Sequence, residues 1–217
     1  LMAAIVTNAY FRNVTGKSGL LAFGVMATIV LYILAWAYPT FPGDEWILVG
    51  IQSFRSGWLD ETAKWFASFG LFWVFMPFAG VLMVSLLLLR RYADVSMLFV
   101  SLMIIGAGNE LKLIVDRPRP DYQIFEPVQS SSSFPSGHSL LAIILGGVLI
   151  YLVGLWVKPI LARRIIQAAL ILVIVGMGMS RVYMGVHWPS DVIGSYMSGL
   201  LALVALIGLR NAVASDP

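Results

Sequence analysis

The 217-residue sequence contains no cysteine, which excludes disulfides, thiolate catalysis and cysteine-ligated metal. Charge is scarce as well. Only 12% of the residues are charged while 59% are hydrophobic, whereas an ordinary soluble domain carries about 25% charged residues. That balance excludes a soluble globular domain of usual composition and points to an integral membrane protein. The net charge of +3 is small and spread along the chain, so a nucleic-acid partner is not expected. No polar linker, internal repeat or low-complexity run longer than the four serines at 130–133 is present. Residues 1–217 therefore read as a single membrane-embedded domain. A polar stretch, 7–18, precedes the first long apolar run, so no signal peptide is expected.

A membrane-crossing helix needs about 20 mostly apolar residues. The runs 20–38, 71–89, 140–157 and 192–209 meet this directly. Two shorter runs, 95–108 and 165–179, extend to Val115 and to Tyr183. The expected fold is all-α: a bundle of six transmembrane helices with both termini on one side. The segment 44–70 places Trp46, Ile47, Val49, Ile51, Phe54, Trp58, Trp65, Phe66 and Phe69 at amphipathic spacing. It reads as one or two short interfacial helices after the first span. Arg12, Lys17, Arg90, Arg91, Lys158, Arg163, Arg164 and Arg210 fall on the side of the termini. Arg55, Lys64, Lys112, Arg117, Arg119 and Arg181 fall on the other. By the bias of Lys and Arg the termini are expected in the cytoplasm.

Charged groups at membrane depth are costly and mark functional sites by default. Here they gather at span ends that an up-and-down bundle brings to one face. Lys112 and Arg119 follow the third span, His138 opens the fourth, Arg181 closes the fifth, and His187 and Asp191 open the sixth. Both histidines of the chain belong to this set. Three cations with one carboxylate imply an anionic guest, and Arg forks with a Lys point charge suit phosphate oxygens. Ser136 is placed to cap the fourth span, leaving the first backbone N–H groups near Gly137 and His138 for an anion. Gly137 lets that backbone approach closely. His187 and Asp191 stand four apart, with Pro189 suited to the first helical turn. A carboxylate on one imidazole nitrogen fixes the tautomer and makes the other nitrogen a better nucleophile or base. A nucleophile, an acid and a phosphate cradle together suggest phosphoryl transfer.

These residues resemble the type 2 phosphatidic acid phosphatase superfamily, whose signature is K-x6-R-P, P-S-G-H and S-R-x5-H-x3-D. The chain has "KLIVDRPRP" at 112–120, "PSGH" at 135–138 and "SRVYMGVHWPSD" at 180–191, in order and without a substitution. The resemblance implies that His187 attacks phosphorus to form a phosphohistidine, with Asp191 orienting it. It implies that His138 protonates the leaving oxygen and later helps to activate water. Lys112, Arg119, Arg181, Ser136 and the Gly137 amide would hold the phosphate oxygens. No metal and no other cofactor is expected, since Asp116, Asp121 and Glu126 are interleaved with cations. Arg117 reads as an extra cation that is solvated or meets lipid headgroups, and residues 130–133 read as a flexible, solvated loop.

The expected function is a membrane lipid phosphatase acting on a phosphomonoester or diphosphate at the extracytoplasmic face of the bilayer. Undecaprenyl diphosphate is the favoured substrate, with phosphatidylglycerophosphate, phosphatidic acid and lipid A phosphates as alternatives. A lipid phosphotransferase shares the motifs and differs only in its acceptor. A catalytically silent lipid-binding or transport protein is the alternative from another class. The presence of His138, His187 and Asp191 counts against it. Oligomeric state is not legible in the sequence.

Overall fold

A computed structural model describes residues 18–125 and 131–215. Arg12, Lys17, Glu126, Ser130 and most of the polar stretch 7–18, which figured in the expectations above, lie outside the described residues. Among the described residues the chain forms eight α-helices and no strand. They are α1 (Ser18–Ala37), α2 (Asp44–Gln52), α3 (Gly57–Ser68), α4 (Phe72–Leu88), α5 (Tyr92–Val115), α6 (Gly137–Trp156), α7 (Ile160–Tyr183) and α8 (Pro189–Ser215). Helices α1, α5, α6, α7 and α8 are each long and apolar enough to cross a membrane.

The remaining span departs from expectation. Helix α4 has 17 residues and an internal Pro77, at the lower limit of the usual crossing length. It passes the same test together with α3, at a bend of 46°. The break falls where Leu71 adopts an extended backbone (φ −72°, ψ 136°). Thus half of the segment that the sequence assigns to the interface is the first limb of a bent pair. The inner face of α3 puts Ala63 and Ala67 against Tyr183, Met184 and Val186. Its Trp58 and Trp65, with Trp46 and Phe54 before it, point outward, as aromatic residues do at a membrane boundary.

Helix α6 is the axis of the bundle. It is apolar all round, which suits a helix buried on every side. Ile143, Ile144, Val148 and Ile150 are almost wholly enclosed. Met97 and Leu98 of α5, Ile174 and Met177 of α7, and Leu203, Leu206 and Ile207 of α8 close around it. The approach to α8 is tight: a Cβ on Gly147 would collide with Leu203, and one on Gly199 with Ile143. Small residues at crossings are how membrane helices gain dispersion contact without a hydrophobic driving force. The outward faces of α1, α4, α5 and α7 carry exposed Phe23, Val81, Leu113 and Leu172, as lipid contact requires.

Helices α6 and α8 begin earlier than their apolar runs suggest. Ser136 caps α6, accepting from the Ser139 N–H at 3.4 Å. Pro189 opens α8, where its missing N–H is no loss. These polar first turns, outside any hydropathy window, carry the site.

Candidate active site

The end of α5, the loop after it, the start of α6, the end of α7 and the α7–α8 turn enclose a cavity of about 290 Å³. Lys112, Arg119, Gly137, His138, Arg181 and His187 line it, together with Gly70, Phe72 and Phe75. Six of the eight residues singled out in the sequence thus share one wall. The other two, Asp191 and Ser136, sit behind it and are fully buried.

His187 is presented by a tight turn. Gly185 has φ +70° and a Cβ there would collide with the Tyr122 carbonyl, so only glycine fits. The Val186 N–H then donates back to the Arg181 carbonyl at 3.1 Å. The imidazole Nδ1 lies 3.5 Å from Asp191 Oδ2, longer than a well-formed hydrogen bond. Catalytic hydrogen bonds are often loose before substrate arrives and tighten afterwards. Nε2 faces the cavity, 3.4 Å from Arg119 Nη1. With Nδ1 directed at a carboxylate and Nε2 at a guanidinium, the ring proton is assigned to Nδ1 and the Nε2 lone pair to the cavity. Burial, followed by the positive charge of Arg119, Lys112 and Arg181, holds His187 well below the ordinary imidazole value of about 6.5. At neutral pH the His187 ring is therefore uncharged.

Asp191 is fixed from two sides. Its Oδ2 accepts from the Trp188 N–H at 2.9 Å, as a carboxylate in a helix first turn does for the residue before the helix. Its Oδ1 accepts from Arg117 Nη1 at 2.5 Å. The α6 end is tied to the same helix, because the Ser136 N–H donates to Ser195 Oγ, which donates to the Asp191 carbonyl, at 2.8 and 2.7 Å. Ser195 therefore locks the helix of His138 to that of Asp191.

Two of the cations, Arg119 and Arg181, are tied to neighbouring groups. Arg119 donates from Nε to the Ser131 carbonyl at 2.8 Å and from Nη1 to the Val186 carbonyl at 2.7 Å. Its Nη2 reaches Ser131 Oγ at 3.1 Å. Arg181 is buried, with Nη2 3.8 Å from Met184 Sδ. The first intrahelical bond of α6 runs from the Leu140 N–H to the Ser136 carbonyl at 2.9 Å. The N–H groups of Gly137 and His138 thus precede the helical ladder at the positive end of its dipole. Ser136 stands as the cap: its hydroxyl also accepts from Ser139 Oγ at 3.0 Å, so its polar atoms serve the helix start and not the cavity wall. His138 Nε2 is buried and has no hydrogen-bond partner among the described residues. Its ring lies flat against Gly70, where a Cβ would be 2.6 Å from Nε2.

Two expectations fail here. Arg117 does not meet solvent or headgroups: it is 1% exposed and ion-pairs with Asp44 at 2.9 Å as well as with Asp191. The left-handed Asp116 (φ 44°) ends α5 and turns Arg117 inward, onto carboxylates 73 and 74 residues away. Serines 132 and 133 are not slack either. Ser132 Oγ accepts from the Arg117 N–H at 2.9 Å, the Ser133 N–H donates to the Arg117 carbonyl at 2.8 Å, and Ser133 Oγ donates to the Pro118 carbonyl at 3.0 Å. The hydroxyls splint the K-x6-R-P loop. Sequence reading also missed Asp44, Ser190, Ser195 and Gly70. An acidic pair, Asp44 and Glu45, opening α2 directly after Pro42 and Gly43 was the available signal for Asp44.

The comparisons fit this arrangement. The family model of the PAP2 superfamily matches residues 93–213. Phosphatidylglycerophosphatase B of Bacillus subtilis is 31% identical over 182 residues, covering 78% of this chain and 84% of the relative. An undecaprenyl-diphosphatase of Sulfolobus acidocaldarius is 28% identical over 148 residues, 65% of this chain and 66% of its own. Among solved structures, a transmembrane PAP2-type phosphatidylglycerolphosphate phosphatase from Bacillus subtilis superposes with a TM-score of 0.73. It is 24% identical, over 88% of this chain and 98% of that one, and carries the fold comparison. Aquifex aeolicus LpxE gives a TM-score of 0.61 at 25% identity, over 77% and 96%. With the family model spanning more than half of the sequence and a relative 31% identical over 78% of the chain, this membrane protein belongs to the PAP2 superfamily of phosphatases.

Proposed function

We propose that the chain hydrolyses a lipid phosphate or diphosphate through a phosphohistidine on His187. The observation that carries the lipid assignment is the neighbour of the polar cavity. An apolar cleft of about 330 Å³, lined by Val74, Phe75, Phe78, Leu141, Leu145 and Ile174 among others, shares Phe75 and Leu141 with it. A headgroup in the cradle can thus keep its tail in hydrocarbon. A soluble phosphate ester has no use for such a cleft.

His187 Nε2 attacks phosphorus, forming the N–P bond as the bond to the leaving oxygen breaks. His138 Nε2 gives that oxygen its proton. Water then attacks the phosphohistidine, His138 takes a proton from it, and phosphate leaves with Nε2 restored. Lys112, Arg119, Arg181 and the Gly137 N–H bear on the equatorial oxygens, where charge accumulates in phosphoryl transfer. One preorganised donor of this kind contributes about 3 kcal/mol to the transition state. Ser136 acts by fixing the helix start, and Asp191 by orienting His187. The anion site is built from cations, and among the described residues no group of three His, Asp or Glu side chains converges on it. The reaction is therefore proposed to run without a metal. The Lys and Arg bias supports cytoplasmic termini and an extracytoplasmic site.

The relatives named for phosphatidylglycerophosphate and for undecaprenyl diphosphate frame the substrate. We favour undecaprenyl diphosphate, with tolerance for the other. The test is phosphate release by purified protein in detergent from both lipids, from phosphatidic acid and from a lipid A phosphate. The expected result is highest kcat/KM on the diphosphate. A strong preference for phosphatidylglycerophosphate would reassign the substrate, transfer to an added alcohol with little free phosphate would make the chain a phosphotransferase, and silence of folded protein on all four would leave a lipid-binding protein.

A further inference from the structure

Arg117 and Asp44 form a buried cluster that no step above uses. The Arg117 guanidinium is sealed from solvent with nearly every donor committed. Nε donates to the Pro39 carbonyl at 3.1 Å, Nη1 to Ser190 Oγ at 2.8 Å and to Asp191 Oδ1 at 2.5 Å, and Nη2 to Asp44 Oδ2 at 2.9 Å. The Phe41 ring stacks over it, 4.5 Å from Cζ. Asp44 is equally committed. Its Oδ1 accepts from the Ser190 N–H at 3.0 Å, and its Oδ2 from Ser190 Oγ at 2.6 Å and from the Phe41 N–H at 2.9 Å. Three separate parts of the chain meet here: the start of α2, the K-x6-R-P loop and the first turn of α8.

Stability alone is a weak reason for such a cluster, since a buried ion pair replaced by well-packed apolar groups is often neutral or better. Its composition suggests a second reason. One guanidinium serves two carboxyl groups, so the cluster holds one acid more than it holds cations beside His187. That excess is matched when His187 becomes a positively charged phosphoimidazole. Asp44 draws part of the Arg117 charge away from Asp191, leaving Asp191 more of its own charge to offer Nδ1. Arg117 in turn holds the Asp191 carboxylate at the angle that aims Oδ2 at the ring. A lysine could supply the charge but not the fork that spans both acids.

We propose that Asp44 and Arg117 are positioning residues for the nucleophile. They act through Asp191, setting its orientation and the charge it presents to His187. Neither lines the phosphate cavity, so neither should govern substrate binding. This inference rests on His187 being the nucleophile.

The experiment is steady-state kinetics with single-turnover trapping of the phosphoenzyme on full-length Asp44→Asn, Arg117→Lys and Ser190→Ala, beside wild type and His187→Ala. Each variant keeps close to the native volume. Asp44→Asn and Arg117→Lys are expected to lower kcat on the order of 10- to 100-fold, since misplacement of about 1 Å can cost 10²-fold. KM should stay within about twofold, with phosphohistidine formation slowed by the same factor as kcat. Ser190→Ala, which removes one hydroxyl bridge and keeps the backbone one, should show the same pattern more mildly. A folded Asp44→Asn with wild-type kcat would overturn the proposal, as would a rise in KM at unchanged kcat. Uniform misfolding of all three variants would assign the cluster to stability and overturn it too. If wild type forms no phosphoenzyme, it is the His187 assignment that fails, and the two failures are thereby told apart.

Discussion

Replacing Gly70 by Ala tests the assignment of His138 as the acid with a single methyl group. Gly70 lies at the bend between α3 and α4 and lines the cavity with His138 and His187. A Cβ there would be 2.6 Å from His138 Nε2 and 2.7 Å from Cγ, and closer still to Cδ2. Carbon contacts settle at about 3.5–4.0 Å, so the Cδ2 edge of the ring must retreat by at least about 1.5 Å. His138 opens α6, whose cap and Ser195 tie leave the backbone little room to follow. The side chain therefore turns away from the leaving oxygen. Proton transfer needs heavy atoms about 2.6–3.2 Å apart, and a 1 Å error can cost 10²-fold, about 2.7 kcal/mol of barrier. Gly70 lacks a positive φ, so the backbone accepts alanine, and the crowding of the ring is expected to cost about 1–3 kcal/mol of stability, leaving the protein folded. The assay compares phosphate release from a lipid phosphate with release from an aryl phosphate, whose leaving group needs little protonation. Gly70→Ala is expected to lower kcat about 100-fold on the first and much less on the second. Equal losses on both substrates, or none, would refute His138 as the acid.

Three further outcomes are expected. Val74→Trp, at a half-exposed position on the wall of the apolar cleft, should lower kcat/KM on long-tailed lipids on the order of tenfold, about 1.4 kcal/mol. It should leave an aryl phosphate untouched, and equal effects on both would remove the cleft from the substrate path. Histidine nitrogen shifts of the His138→Gln variant, followed by NMR against pH, should show His187 neutral well below pH 6.5, because burial and three cations oppose its charging. A buried neutral histidine binds fewer protons than the unfolded chain below the ordinary imidazole value. His187 should therefore subtract stability as pH falls through about 6.5, and a midpoint at or above that value would contradict the site's electrostatics. Activity should survive EDTA, whereas a strict requirement for added Mg²⁺ would overturn the metal-free cradle.

What the sequence shows of this protein and what it hides divide along a physical line. Apolar runs long enough to cross a bilayer report themselves, because lipid imposes the composition residue by residue. The first turns of α6 and α8 are legible for another reason, since Ser136, Gly137, His138, Pro189 and Asp191 act within a few residues of one another. Arg117 misleads because its partners lie 73 and 74 positions away, so a buried ion pair reads as a surplus surface charge. Ser132 and Ser133 mislead in the same manner, as a run of serines resembles slack until the loop that it splints is in place. The pairing of α3 with α4 is hidden because Asp60, Glu61 and Lys64 make the α3 segment read as an interfacial helix apart from the run 71–89. Gly70 becomes informative only once His138 lies against it.

The most direct test of the account is to quench wild-type protein in mid-turnover and locate the phosphoryl group by mass spectrometry. A phosphoramidate on His187, stable in alkali, labile in acid and missing from His187→Ala, is the expected result. Full phosphate release with no phosphoryl group on His187, or turnover retained by His187→Ala, would contradict it.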